Sequence, residues 1–372
     1  MQKLAQSWLV LLLGGSSFWL GLDSFLGDMP IFALALIAGV AADRLDRRRL
    51  LIGSQFIQMS CAFTLAALFA THHVQVWHIL ALSFITGTAQ AFGAPAYQSL
   101  IPALVPRDQL PQAIAMNSIQ FNLARLIGPV LGGLALTSLG AAWCFGLNGL
   151  SFVAVITTIL LISVRFDIPK TTDTLFESMK QGLRFIRQSP NLVSLMVVSF
   201  LCTYLGIPIL TFLPVFARDI YHGTAKTYTI LLSVQALGAI AGAIVVAAFG
   251  RKTGLGRMAL LSLLVLAFSL SAFAWSTSIV VACFFLFLGG MALITCFAML
   301  SSLVQMTATD AMRGRVMSIY NIAFRGGMPI GSLIAGTLIT RWGAPNVVGA
   351  HGIVLGVLTL YLLFVHRKIA AI

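Results

Sequence analysis

Charge is what this chain has least of. Only 9% of its 372 residues are Asp, Glu, Lys or Arg, against 59% hydrophobic, and the mean hydropathy is +0.98. A soluble domain needs far more charge to cover its surface, so the composition excludes one and reads as a polytopic membrane protein. Acids are scarcer still, ten against 23 Lys and Arg, for a net charge of +13. In a soluble chain that excess would suggest nucleic acid. Here the basic residues fall in turns between apolar runs, which is the positive-inside pattern, and nucleic acid is not expected as a partner. Cysteine is sparse: Cys61, Cys144, Cys202, Cys283 and Cys296 lie singly inside apolar runs and read as small packing residues, so neither a disulfide nor a metal site is expected. His72, His73, His78, His222, His351 and His366 fall at or near predicted span ends or turns, and adjacent His72 and His73 make a poor metal pair. Catalytic signatures are missing: there is no P-loop, no HExxH and no His-x4-Asp pattern. An enzyme is not expected and no cofactor is implied. Energy for uphill work would come from an ion gradient, most simply protons. Lys3 is the only early charge and no cleavage pattern precedes the next apolar run, so the start is not read as a signal peptide.

What is present is a series of apolar runs. A helix needs roughly 20 such residues to cross the hydrocarbon core. Spans are predicted near 17–40, 50–70, 77–100, 113–137 and 141–163, after a partial span at about 1–14. A polar stretch from Arg165 to Pro190 separates them from spans near 191–216, 227–249, 258–275, 278–304, 316–340 and 346–365. The expected fold class is thus an all-α polytopic membrane protein, with eleven full spans and one partial span in two blocks of six. The expected domains are an N-terminal bundle (1–163), a linker (164–190) and a C-terminal bundle (191–372).

The turn GVAADRLDRRR, Gly39 to Arg49, concentrates two acids and four arginines between two apolar runs, behind what reads as a helix-ending glycine. If it is cytoplasmic, seventeen Lys and Arg lie on its side, counting the central linker and the tail, and only Arg218, Lys226 and Arg341 lie opposite. That asymmetry orients the basic loops, linker and C-terminus toward the cytoplasm. In the linker, Thr174-x-x-Glu177 has the form of a capping box. Leu175, Met179, Leu183 and Ile186 then share one face, as in an amphipathic helix on the inner membrane surface; a merely solvated connector is the alternative.

The two blocks repeat. NSIQFNLARLIGPVLGG at 117–133 matches MSIYNIAFRGGMPIGSL at 317–333, with Ser118, Arg125 and Pro129 opposite Ser318, Arg325 and Pro329. Such symmetry is expected of a transporter built from two rocking halves. The same spacing maps the seventh span to a start before Met1, so the first helix reads as truncated at its cytoplasmic end.

On these residues the chain resembles the major facilitator superfamily. Gly39, Asp43, Arg44, Arg47 and Arg48 stand at the positions of that family's signature loop, while Asp46 replaces a common glycine, so a less tight turn is expected. GRKTGLGR at 250–257 keeps the basic residues of the second copy but has no acid corresponding to Asp43. Gly128, Pro129, Gly132 and Gly133 resemble the Gly-Pro motif of the family's exporters, and would allow close helix approach and a bend. AFGAPAYQSLIPALVPRDQL at 91–110 followed by NSIQFNLAR at 117–125 is similar to the enterobactin-exporter and macrolide-efflux-like branch.

The resemblance implies two six-helix bundles and a bacterial inner-membrane exporter of hydrophobic or amphipathic small molecules (drugs, macrolides or a siderophore), acting by proton antiport as a monomer. Its expected partners are the small-molecule substrate, protons and the lipid bilayer. An uncoupled lysophospholipid or solute facilitator, or a non-transporting remnant or scaffold, remain alternatives. The resemblance also implies that Asp43 contacts the eleventh helix and locks a cytoplasmic gate; a plain topology anchor is the alternative. Arg125 and Arg325 sit at membrane depth, where charges need partners, and Asp23 and Asp28 are the acids at comparable depth. Since the second and eleventh helices face each other in this fold, Asp28–Arg325 is the expected pair. Asp28, or failing that Asp23, is the expected proton carrier, with a permanent salt bridge as the alternative. The resemblance further implies a substrate path along the first, fourth, seventh and tenth helices, with Gln6, Trp8, Gln90, Tyr97, Gln98, Tyr204, Thr295 and Met299 as its lining candidates.

Overall fold

The computed structural model describes residues 2–161, 175–249, 254–310 and 312–364. No strand occurs among the described residues. In hydrocarbon every backbone polar group must be satisfied within the chain, and a helix does that locally.

The helices cluster into two compact units. The first holds α1 (Gln2–Gly14), most of α2 (Ser17–Ala33), α3 (Ala35–Arg44), α4 (Arg47–Ala70), α5 (Val76–Leu104), α6 (Leu110–Ser138) and α7 (Ala141–Leu161). The second holds Ser16–Gly21 at the start of α2, α8 (Leu175–Gln188), α9 (Pro190–Gly206), α10 (Pro208–Val215) with a π-helical turn at Phe216–Ile220, and α11 (Ala225–Phe249). It continues with α12 (Leu255–Ala274), α13 (Ile279–Thr307), α14 (Arg313–Trp342) and α15 (Ala344–Phe364).

Among the described residues, nine helices are long and apolar enough to cross a membrane, against the eleven full spans expected. The run predicted at 17–40 is divided at Leu34 (φ −95°, ψ 0°), one turn after Pro30, whose ring crowds the preceding turn. The amide of Leu34 still donates to Pro30 O at 2.9 Å and that of Ala38 to Leu34 O at 2.8 Å, so the span bends there and goes on. α6 runs unbroken over Leu110–Ser138 with Ile127–Ser138 as its described apolar stretch; the side chains of Phe121, Asn122, Arg125 and Leu126 lie outside the described residues. The seventh run still makes one span, Pro190–Ile220, although its helix is interrupted at Ile207, where Pro208 opens α10 in the first-turn position that tolerates a missing N–H.

The expected role of Gly39 is corrected. It does not end a helix: α3 runs through it to Arg44, and Leu45 is the C-cap. A glycine inside a helix costs about 1 kcal/mol, less than leaving backbone groups unpaired at the edge of hydrocarbon. The turn proper is made by Asp46, the N-cap of α4, whose carboxylate accepts from the amides of Arg48 (2.9 Å) and Arg49 (3.3 Å).

In the second unit, small residues let backbones approach. A Cβ on Gly290 of α13 would strike the Gln235 carbonyl of α11, and one on Gly331 of α14 would strike that of Tyr204 in α9. The linker helix α8 is seated by Gly182, where a Cβ would come within 2.8 Å of Ile319 Cδ1 on α14. Ile186 is buried with it, while Leu183 is exposed. Thr174, the cap residue expected before this helix, lies outside the described residues. His72 and His222 occupy left-handed turn positions, with φ of 58° and 47°. His351 departs from the end-of-span expectation: it is buried inside α15 and hydrogen-bonded to the Leu205 backbone.

Candidate functional site

The first unit encloses a polar cavity of about 230 Å³ between α1, α2, α4 and α5. Its position follows from one close approach. Gly87 of α5 faces Gly27 of α2 so tightly that a Cβ on Gly87 would strike the Gly27 carbonyl. One turn earlier, at the same offset of sixty residues, Ser83 faces Asp23. A constant offset means that the two helices run parallel, so the glycine contact sets the register of the polar pair. Ser83, Thr86 and Gln90 then share one face of α5.

Asp23 is the centre of the cavity's hydrogen bonding and is 7% exposed. Ser83 Oγ donates to Asp23 Oδ1 at 2.5 Å. Gln6 Nε2 donates to the two carboxylate oxygens at 2.9 and 3.1 Å and also to Ser83 Oγ at 2.6 Å. All these donors are neutral. Gln58, also buried in the lining, donates to Ser54 O and Oγ at 3.3 and 3.1 Å.

Asp28, the first-ranked proton carrier from the sequence, lies one turn further along α2. Within its own unit its ion partner is Lys3 Nζ at 3.5 Å, on a lysine side chain that is 75% exposed. Arg325, its expected partner, is an exposed residue of the other unit. The side chains of Arg125, Asp43 and Arg44 lie outside the described residues. Arg48 acts locally, donating from Nε to Ile159 O at 3.2 Å and from Nη2 to Leu160 O at 2.7 Å, and so caps the last turn of α7. Gly128 and Pro129 lie within a continuous α6; a Cβ on Gly128 meets nothing within 4 Å, and the Gly132 carbonyl is approached by Cys144 Sγ at 3.6 Å.

Of the residues expected along a substrate path, Gln6 and Gln90 line this cavity. Trp8 is half-buried on α1. Tyr97 and Gln98 are exposed near the end of α5, with Tyr97 Oη donating to Asn117 Oδ1 at 2.7 Å. In the second unit, Thr295 donates to Met291 O at 2.9 Å within its own helix, and Met299 is packed away at 1% exposed.

Tyr204 belongs to one of two aromatic groups that the sequence reading passed over. It stacks on Phe200 (centroids 5.9 Å apart), and Phe324 of α14 meets Phe297 of α13 at 4.6 Å and Tyr320 at 5.8 Å. All but Tyr320 are half-buried. The signal was available, since Phe200/Tyr204 and Tyr320/Phe324 are both i, i+4 pairs. It was missed because aromatics at that spacing also fit simple packing.

Chemically, the first unit offers a buried carboxyl held by neutral donors beside an ion pair, and the second offers an aromatic face able to hold a large apolar ligand. The profile of one family, described as transmembrane secretion effector, matches residues 1–371. A staphyloferrin A transporter of Staphylococcus aureus is 24% identical over 99% of this chain and 92% of its own. An enterobactin exporter of Escherichia coli is 25% identical over 95% of this chain and 85% of its own. A macrolide efflux protein of Streptococcus pyogenes is 26% identical over 63% of this chain and 59% of its own. Among solved structures, a variant of a nucleoside transporter superposes with a TM-score of 0.79 at 13% identity, over 97% of this chain and 94% of that one.

Proposed function

The chain belongs to the transmembrane secretion effector family of major facilitator efflux transporters, and we propose that it exports amphipathic small molecules by proton antiport, with Asp23 as the proton carrier. The names of its relatives support siderophores and macrolides as the substrate class. The half-buried aromatic cluster around Phe324 suits the apolar part of such ligands, with Arg325 beside it to meet an anionic group. The charge asymmetry supports a cytoplasmic placement of the basic turns, and the enterobactin exporter a bacterial inner membrane.

The observation that carries the coupling is the Asp23–Ser83–Gln6 triad. When ionised, Asp23 accepts from both partners. When it takes a proton its carboxyl becomes a donor, and the Ser83 hydroxyl, which both donates and accepts, reverses while Gln6 keeps an acceptor. Each carboxyl oxygen of Asp23 therefore keeps a partner in both protonation states. Lys3 pairs with Asp28 in the same cavity, so protonation of Asp23 removes the charge that this pair leaves over. Carrying fewer net charges across hydrocarbon lowers the cost of changing access. The signature turn and an alternating-access cycle of the two units complete the reading.

The test is uptake into everted membrane vesicles of a labelled macrolide, staphyloferrin A or enterobactin, with a pH gradient imposed and then collapsed by an uncoupler. Accumulation of at least one of these that vanishes with the uncoupler supports the reading. Equilibration that ignores the uncoupler makes the chain a facilitator, and no uptake of any of the three removes the substrate class.

A further inference from the structure

Two grooves of about 650 and 620 Å³ lie in different units and yet are lined at matching positions. The first is formed by α4 and α5, the second by α12 and α13 with one residue of α11. Arg49, Ser54 and Ile57 on one wall correspond to Arg257, Ser262 and Val265, each 208 residues on. On the facing wall Phe84 and Thr88 correspond to Met291 and Thr295, each 207 residues on.

Each groove has an arginine at one end, in the first turn of its helix. From Arg49 to Ile57 the wall runs eight residues, about 12 Å at the helical rise, toward the middle of a hydrocarbon core about 30 Å thick. The hydroxyls along it are already used. Ser54 donates to Ala89 O (2.7 Å), Thr88 to Phe84 O (2.8 Å), Ser262 to Met258 O (2.8 Å) and Thr295 to Met291 O (2.9 Å). The walls thus present hydrocarbon to an occupant despite their serines and threonines, and charge is offered only at the mouth. A polar solute finds these hydroxyl protons already committed along the wall, and a neutral apolar one makes no use of the arginine. The complementary shape is a hydrocarbon chain with an anionic head at the level of the membrane surface.

We propose that each groove holds one acyl chain of an anionic phospholipid, with the lipid phosphate on Arg49 in the first unit and on Arg257 in the second. The Arg49 side chain is 89% exposed and its ion pair with Asp46 is long, 3.7 Å, so its guanidinium is available to a second anion. Asp46 also lines the first groove, whereas among the described residues no acid lines the second. The Arg257 site is therefore the tighter of the two.

The experiment is native mass spectrometry of the full chain in detergent, titrated with phosphatidylglycerol or with phosphatidylcholine of the same acyl chains. The expected result is retention of two phosphatidylglycerols and weaker retention of phosphatidylcholine. Arg49→Gln and Arg257→Gln should each weaken one site about fivefold, the second variant acting on the tighter site, and the double variant should lose the headgroup preference. Neither change touches a packed position. Gly53→Phe, where a Cβ meets nothing within 4 Å, should fill the first groove and lower the count by one, whatever the headgroup. Equal retention of the two lipids by the wild type, or an unchanged phosphatidylglycerol count in the double arginine variant, overturns the proposal.

Discussion

Replacing Asp23 with Asn keeps the shape of the side chain and removes its titration. Two effects on folding oppose each other. Hydrogen bonds to a charged group contribute about 1.5–3 kcal/mol each, and Asn presents one donor where Asp23 has only acceptors for Gln6 and Ser83, so about one such bond is lost. Against this, a charge at membrane depth costs about 2.5–3.5 kcal/mol on insertion scales, and the variant is relieved of it. The terms cancel to within about 2 kcal/mol, so Asp23→Asn should fold, with a melting temperature near that of the wild type. Transport should separate sharply. One-for-one antiport against a pH difference of one unit supports about tenfold accumulation at most, since a pH unit is worth 1.36 kcal/mol; without a carrier for the proton the ratio falls to about one. The assay is pH-driven uptake in everted vesicles beside exchange of labelled for unlabelled substrate at equal pH. Asp23→Asn should abolish the first and retain the second. If it accumulates substrate like the wild type, with substrate-driven proton flux intact, Asp23 carries nothing and the triad is structural. Asp28→Asn, which leaves the Lys3 charge unbalanced when Asp23 is protonated, is the comparison and should weaken uphill transport while keeping substrate-driven proton flux.

Other outcomes follow from the packing. Gly331→Leu drives a side chain into the Tyr204 carbonyl and should destabilise by about 1–3 kcal/mol as an overpacked site; Gly128→Ala, facing open space, should be neutral or stabilising by up to about 1 kcal/mol. Thermal unfolding in detergent reads both. Arg48→Ala removes two carbonyl contacts at the end of α7 and should lower stability by about 1.5–3 kcal/mol, whereas Asp46→Ala, which removes an N-cap, should cost about 1 kcal/mol. Phe324→Ala, which takes away the ring shared by Phe297 and Tyr320, should raise KM for a macrolide about two- to tenfold with little change in kcat.

How much of the site was legible depended on the range of the interaction. The sequence reading named Asp23 and Asp28 because acids at membrane depth are rare, and rarity is visible without coordinates. It ranked Asp28 first on an expected partner in the eleventh helix. The ranking turned on contacts that composition does not carry: Ser83 is 60 residues from Asp23 and Gln6 is 17 residues before it, and only the Gly27–Gly87 approach brings α2 and α5 into the register where all three meet. Gly39 was misread for a related reason. Glycine after an apolar run ends helices in water, where freed backbone groups are solvated, but at the edge of a bilayer the helix is held past it, here to Arg44 with Leu45 as its C-cap, and Asp46 then opens the next helix.

The sequence by itself determined the class of molecule, its helical fold and its two-fold repeat, because these follow from hydropathy and periodicity, which every residue contributes to locally. The tertiary structure decided which polar residues share a cavity, which hydroxyls are spent on backbone carbonyls, and that matched positions in the two halves open into matched grooves. Those are properties of helix register. Register is set by a few close contacts between glycines and distant backbone, and a shift of one residue rotates each side chain by about 100° around its helix.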